Sequence, residues 1–185
     1  MPSPRPSSSL AARASVGTWS RVGAVLSADG LYRFLLTRDV APEGAVTPTR
    51  TVCWVMLNPS TADAEQDDAT VRRCMTFTRT WGYTSLAVVN LFALRSTDPS
   101  VLRSHAQAIG CGNDAYIIGA AMAADLVVCA WGTKGDHLGR DAHVLTLLAD
   151  TEPHALDLTK DGHPKHPLYV KGDTLPFRIA AEERP

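Results

Sequence analysis

The sequence predicts an α/β fold: one domain with a mainly parallel central sheet, helices on both of its faces and a β-hairpin at its N-terminal end. Three observations lead there. The chain has 185 residues and is 45% hydrophobic, a size that suits one domain with one substantial core. Three short, continuous apolar runs, TVCWVML at 51–57, Ser85–Leu91 and DLVVCA at 125–130, read as strands buried on both faces, as parallel strands are. Segments of helical spacing separate them, and this alternation implies right-handed crossovers that cover the sheet on both sides.

Residues 1–18, opening with MPSPRPSSS, are expected to be a disordered tail ahead of a single domain at 19–180, because proline and serine give them nothing to bury. Arg21–Ser27 and Leu31–Asp39 flank the turn signal Ala28-Asp29-Gly30 and form the hairpin, with Tyr32, Phe34 and Leu36 on one face. A loop at Ala41–Arg50 leads into the first buried strand, which ends at Asn58-Pro59-Ser60. Val71, Cys74, Met75 and Thr78 set a helix over Asp67–Trp81, with acidic residues before its first turn where the helix dipole favours them. The strand Ser85–Leu91 precedes a weak helix around Pro99–Ala108 and a longer one at Asn113–Ala124. The third buried strand, Asp125–Ala130, ends at Trp131-Gly132. A loop at Gly135–Arg140, a helix at Asp141–Leu148, a fourth strand at His154–Leu158 and the loop Thr159–Pro167 follow. Ligands of such sheets bind beyond the carboxyl ends of the strands. That edge gathers Asn58, Asn90, Trp131 and the loop before His166.

Composition narrows the function. A net charge of -1 and a pI near 6.6 leave no overall basic excess, so any nucleic-acid contact must come from a local patch. Cys53, Cys74, Cys111 and Cys129 form no CxxC pair, which argues against a disulfide frame or a zinc knuckle. No HxH or HExxH spacing suggests a metal, and no GxSxG, Walker or GxGxxG motif is present. The first nine residues lack the apolar core of a secretory signal and no apolar run reaches membrane-spanning length, so neither a leader nor a membrane span is expected. A cytoplasmic monomer without metal, cofactor or membrane contact is expected.

Four segments carry more specific information: LNPS at 57–60, VVNL at 88–91, VVCAWG at 127–132 and HPLYV at 166–170. In this order they resemble the uracil-DNA glycosylase superfamily, in which a first strand ends in Asp-Pro or Asn-Pro, a second in asparagine and a third in Trp-Gly, and a late loop carries His-Pro. The chain resembles more closely a bacterial and phage domain-of-unknown-function family with patterns such as LNPSTADA, RRC, WGY, VVNLFALRSTDP and LTKDGHPKHPLY, over about residues 30–179. That family brings no activity with it. The superfamily resemblance implies a three-layer sandwich fold and a monofunctional DNA glycosylase that leaves an abasic site.

Breaking an N-glycosidic bond requires stabilising negative charge on the leaving base and placing water at C1′. By the resemblance, His166 donates to the pyrimidine O2, Asn58 orients the water without being able to take its proton, and Asn90 reads the edge of the flipped base. The uracil-specific branch places an aromatic residue where this chain has Ser60. The smaller residue opens the C5 side of the base, so a C5-modified pyrimidine is the expected substrate, for example hydroxymethylated or glucosylated cytosine of phage DNA, with phage defence as the role. Asp63, Glu65, Asp67, Asp68 and Arg72 are candidates to meet the C5 substituent. Phe77, Trp81 and Phe92 are candidates for stacking on the base, and Leu168 or Tyr169 for wedging the duplex. Lys134, Arg140, Lys160, Lys165 and Lys171 are candidates for phosphate contact.

Each residue also has a plainer role. Asn58 can brace its own turn, and Asn90 can brace a loop. The acidic run can simply start a helix, and Phe77 and Trp81 can be core. His166 can be an ordinary loop histidine, and the lysines can serve solubility. Two other functions fit the same motifs: an enzyme acting on free nucleosides or nucleotides, and a module that binds a modified base without cutting it. The glycosylase reading requires Asn58, Asn90 and His166 to meet in one pocket.

Overall fold

The computed structural model describes residues 22–42, 48–60, 62 and 66–179; the expected tail at 1–18 lies outside them. The elements are β1 (Gly23–Leu26), β2 (Arg33–Asp39), β3 (Thr51–Met56), α1 (Ala69–Thr80), β4 (Ser85–Asn90), α2 (Val101–Ser104), α3 (Asn113–Ala123), β5 (Leu126–Cys129), α4 (Arg140–Leu147), β6 (His154–Ala155) and β7 (Phe177–Arg178). The described strands form one mixed sheet in the order β1-β2-β4-β3-β5-β6-β7. Its centre is parallel, since β3 pairs in parallel with β4 and β5, and β5 with β6. The edges are antiparallel, where β1 pairs with β2, β2 with β4, and β6 with β7.

The alternation of side chains along the parallel strands splits the core in two. Cys53, Val55, Ala87, Val89, Val127 and Cys129 face one way and pack against Ile117, Ala120 and Ala121 of α3 and Val144 and Leu145 of α4. Val52, Trp54, Met56, Leu86, Val88 and Val128 face the other way and pack against Val71, Cys74 and Phe77 of α1. The chain runs from β3 to β4 in one direction along the sheet, then returns past β3 to β5 and β6. Crossovers of one hand that run in opposite directions place their helices on opposite faces, which is why α1 lies alone against α3 and α4. Each large side chain buried in these layers contributes about 1.5–3 kcal/mol. The indole N–H of Trp54 is satisfied within its layer by Thr78 Oγ1 at 3.1 Å, which ties α1 to the central strand.

The hairpin forms as the sequence predicts, but its second strand does not keep one phase. The register slips between Val25 and Leu26, which pair with Leu35 and Arg33. The extra residue is a β-bulge. It leaves Tyr32 and Phe34 on the α3 side, where Phe34 stacks on Tyr116 at 4.9 Å, and sends Leu36 into the opposite core. Strand β7 has no counterpart in the sequence reading; it is two exposed residues paired to β6. The fourth strand is shorter than its expected span, and Leu158 instead bridges Pro164 to close a turn. Among the described residues, no helix is long and apolar enough to cross a membrane.

Candidate functional site

Strand β3 stands at the centre of the sheet, with its two crossover neighbours leaving in opposite directions, so a crevice opens beyond its carboxyl end. A cavity of about 380 Å³ lies there. Its walls include Asn58 after β3, Asn90 at the end of β4, Trp131 after β5, Asp68 before α1 and His166 from the late loop. Asn58, Asn90 and His166 thus meet in one pocket, together with Ser60, Lys134 and Tyr169.

The two amides are held in defined orientations. Asn58 Nδ2 donates to Ser96 O at 2.9 Å and to Pro59 O at 3.1 Å, while Ser96 N donates back to Pro59 O at 2.9 Å. The side chain therefore does latch the turn, as its plainer role requires. Because both bonds use the amide nitrogen, the carbonyl Oδ1 remains as the group it offers the cavity. Asn90 is 2% exposed. Its Oδ1 faces Arg33 Nη2 at 3.5 Å, and a guanidinium can only donate, so the amide cannot be flipped. The buried Nδ2 has no hydrogen-bond partner, an unusual condition for an amide and one that a ligand acceptor relieves. Backbone support comes from Asn113 Nδ2, which donates to Asn90 O at 2.9 Å and Leu91 O at 3.2 Å, and from Arg140 Nε, which donates to Leu91 O at 2.8 Å.

His166 is carried on a loop stitched to the sheet edge. Thr159 N bonds His163 O at 2.8 Å, Lys165 N bonds Asp157 O at 2.8 Å, and Gly132 N bonds Pro164 O at 2.8 Å. The last contact needs Gly132, whose φ of 76° and ψ of -168° suit glycine alone. From the opposite side, Arg73 of α1 donates from Nη2 to Val170 O at 2.6 Å. The Leu168 N–H approaches His166 Nδ1 at 3.4 Å, which makes Nδ1 the acceptor and leaves the proton on Nε2. Burial lowers the imidazole pKa from its ordinary value, while the nearby Asp68 carboxylate raises it; the net shift is downward. The ring is therefore neutral near pH 7, with one N–H to donate.

Trp131, 2% exposed, walls the cavity behind these groups. Gly135 packs so closely on its indole that a Cβ there would stand 2.3 Å from Cδ1 and 2.7 Å from Nε1. The loop after β5 can lie flat on the indole only because residue 135 has no side chain.

Several sequence candidates stand elsewhere. Phe77 and Phe92 are fully buried in the two cores, and Trp81 stacks on Trp54 at 5.5 Å, so none of the three borders the cavity. Asp67 is turned to Arg38 Nε at 2.7 Å. Arg72 is exposed and bonds the Asp67 carbonyl. Arg140 is 2% exposed and paired with Asp114; it supports the site from beneath and offers no phosphate contact. Lys165 pairs with Asp157 at 2.5 Å, and that bond holds the Asp157 carboxyl below its usual range. Lys160 and Lys171 are exposed but do not line the cavity. Asp63 and Glu65 lie outside the described residues. Sequence reasoning missed Arg33, Arg73 and Asn113 as supports of the site. Arg73 adjoins Arg72 in the RRC motif, and only the helical phase separates the half-buried arginine from the exposed one.

The family model described as Protein of unknown function (DUF1643) matches residues 33–168, in keeping with the domain-of-unknown-function family that the sequence resembles. No curated protein and no solved structure matches the chain.

Proposed function

We propose that this chain, which belongs to the DUF1643 family, is a monofunctional DNA glycosylase of uracil-DNA-glycosylase-like fold that excises a C5-modified pyrimidine and leaves an abasic site. The observation that carries the reading is the convergence of Asn58, Asn90 and His166, from three distant segments, on one cavity at the carboxyl edge of the sheet. Their polar groups suit the chemistry. The neutral His166 N–H meets the pyrimidine O2 as charge develops there, and one such preorganised donor lowers a barrier by roughly 3–4 kcal/mol. Asn90 Nδ2 meets an acceptor on the edge of the flipped base. Asn58 Oδ1 accepts a hydrogen from the attacking water. Ser60 leaves room on the C5 side for a hydroxymethyl or glucosyl group, as phage cytosines carry, and phage defence is the role that follows. Lys134 and the exposed Tyr169, which line the cavity, would meet the DNA strand in this reading.

One observation favours a second reading, an enzyme acting on free modified nucleotides. Of the five cations proposed for phosphate contact, Arg140 is buried and Lys165 is already paired. A single assay separates the two. Purified protein is incubated with unmodified, uracil-containing and glucosyl-hydroxymethylcytosine DNA, and abasic sites are then cleaved. Strand breaks confined to the modified DNA, and lost in Asn58→Ala and His166→Ala, are expected. Intact DNA in every lane, with turnover of a modified free nucleotide, would move the assignment to the second reading.

A further inference from the structure

Hydrolysis by this site needs a group that accepts the proton of water, and neither amide can do so. Asn58 offers a carbonyl oxygen and Asn90 an N–H, and the neutral His166 has its Nδ1 engaged by Leu168 N. Among the described residues that line the cavity, Asp68 is the one carboxylate. Its two oxygens are unequal. Oδ1 caps α1 by accepting from Val71 N at 2.8 Å, whereas Oδ2 has no hydrogen-bond partner among the described residues. The backbone around the N-cap is extended, with φ -84° and ψ 176°, so the cap fixes the carboxylate at the cavity wall. Asp68 and His166 line the same cavity, and the Asp68 carboxylate raises the His166 pKa against the larger effect of burial.

Resting on the glycosylase reading, we infer that Asp68 is the catalytic base of this site. The sequence reading grouped it with contacts to the C5 substituent, and Asp67, its neighbour, is withdrawn into the Arg38 ion pair. In the step assigned here, the C1′–N1 bond breaks and its electron pair leaves with the base, which His166 stabilises through O2. The water oxygen, held by Asn58 Oδ1, bonds to C1′, and its proton passes to Asp68 Oδ2. The anionic carboxylate faces the positive sugar while it forms. Solvent then protonates the departed base and takes the proton from Asp68.

The test is Asp68→Asn, because asparagine caps a helix as well as aspartate does and cannot take a proton. The single-turnover rate on glucosyl-hydroxymethylcytosine DNA is expected to fall by about 10²–10⁴-fold, the usual contribution of a general base. Affinity for the same DNA and the thermal midpoint should be retained. An equally active Asp68→Asn would overturn this inference and leave the glycosylase reading intact. A parallel loss of rate and affinity would also overturn it, by returning Asp68 to a contact with the modified base. A wild type that makes no abasic site in any DNA would overturn both.

Discussion

Asn58, Asn90 and His166 line one cavity, and what each offers to it is fixed by a neighbour rather than by its own residue type. Asn90 presents a donor because Arg33 occupies its carbonyl, and Asn58 presents an acceptor because Ser96 and Pro59 occupy its nitrogen. Asn90→Asp separates the binding role from the bracing role. The carboxylate still meets Arg33, so the fold should hold, but the donor becomes a second acceptor. Affinity for a modified-base duplex is expected to weaken by about 1–3 kcal/mol, the cost of one unmade buried hydrogen bond, with the urea midpoint unchanged; a collapse in stability with unaltered affinity per folded molecule would mark Asn90 as a brace only. The thiols follow the same rule of context. Burial pushes Cys53 up to about 12 and raises Cys74 as well, so they behave as small buried hydrophobes.

At the scale of elements, the strands that build the site were legible because burial on both faces writes itself as unbroken apolar runs, and β3, β4 and β5 fall within the spans predicted for them. Helix α1 was legible through the spacing of Val71, Cys74 and Thr78. What escaped was set by partners. The bulge at Phe34 joins two apolar residues, so either phase looks hydrophobic. Strand β7 consists of two exposed residues whose only signal is pairing to β6. Buried polar supports are the hardest to see, since Asn113 resembles a helix start and Arg140 a loop cation. Arg140→Met tests the corrected role. It removes the charge-assisted bond to the Leu91 carbonyl and the Asp114 ion pair, and unfolding by urea should reveal a loss of about 1.5–3 kcal/mol. The salt dependence of DNA binding should keep its slope, because no phosphate contact is lost. A shallower slope with unchanged stability would restore Arg140 to the DNA surface.

For the whole molecule, the layered α/β architecture accounts for why distant segments can cooperate. Crossovers that run in opposite directions on the two sides of β3 open the crevice, α1 delivers Asp68 to it from one face, and α3 and α4 support the end of β4 from the other through Asn113 and Arg140. Asn58, Asn90 and His166 could be chosen from sequence because they end strands or sit in a marked loop, whereas Asp68 was one of five candidates for the C5 substituent until the placing of α1 set it apart from Asp67. The most direct test of the central claim is to incubate the protein with glucosyl-hydroxymethylcytosine phage DNA and quantify free bases in the soluble fraction by chromatography and mass spectrometry. The account predicts release of the intact modified base in step with the appearance of abasic sites, with no release from unmodified DNA and none by His166→Ala. Modified DNA that is bound tightly and recovered with every base still attached would contradict it.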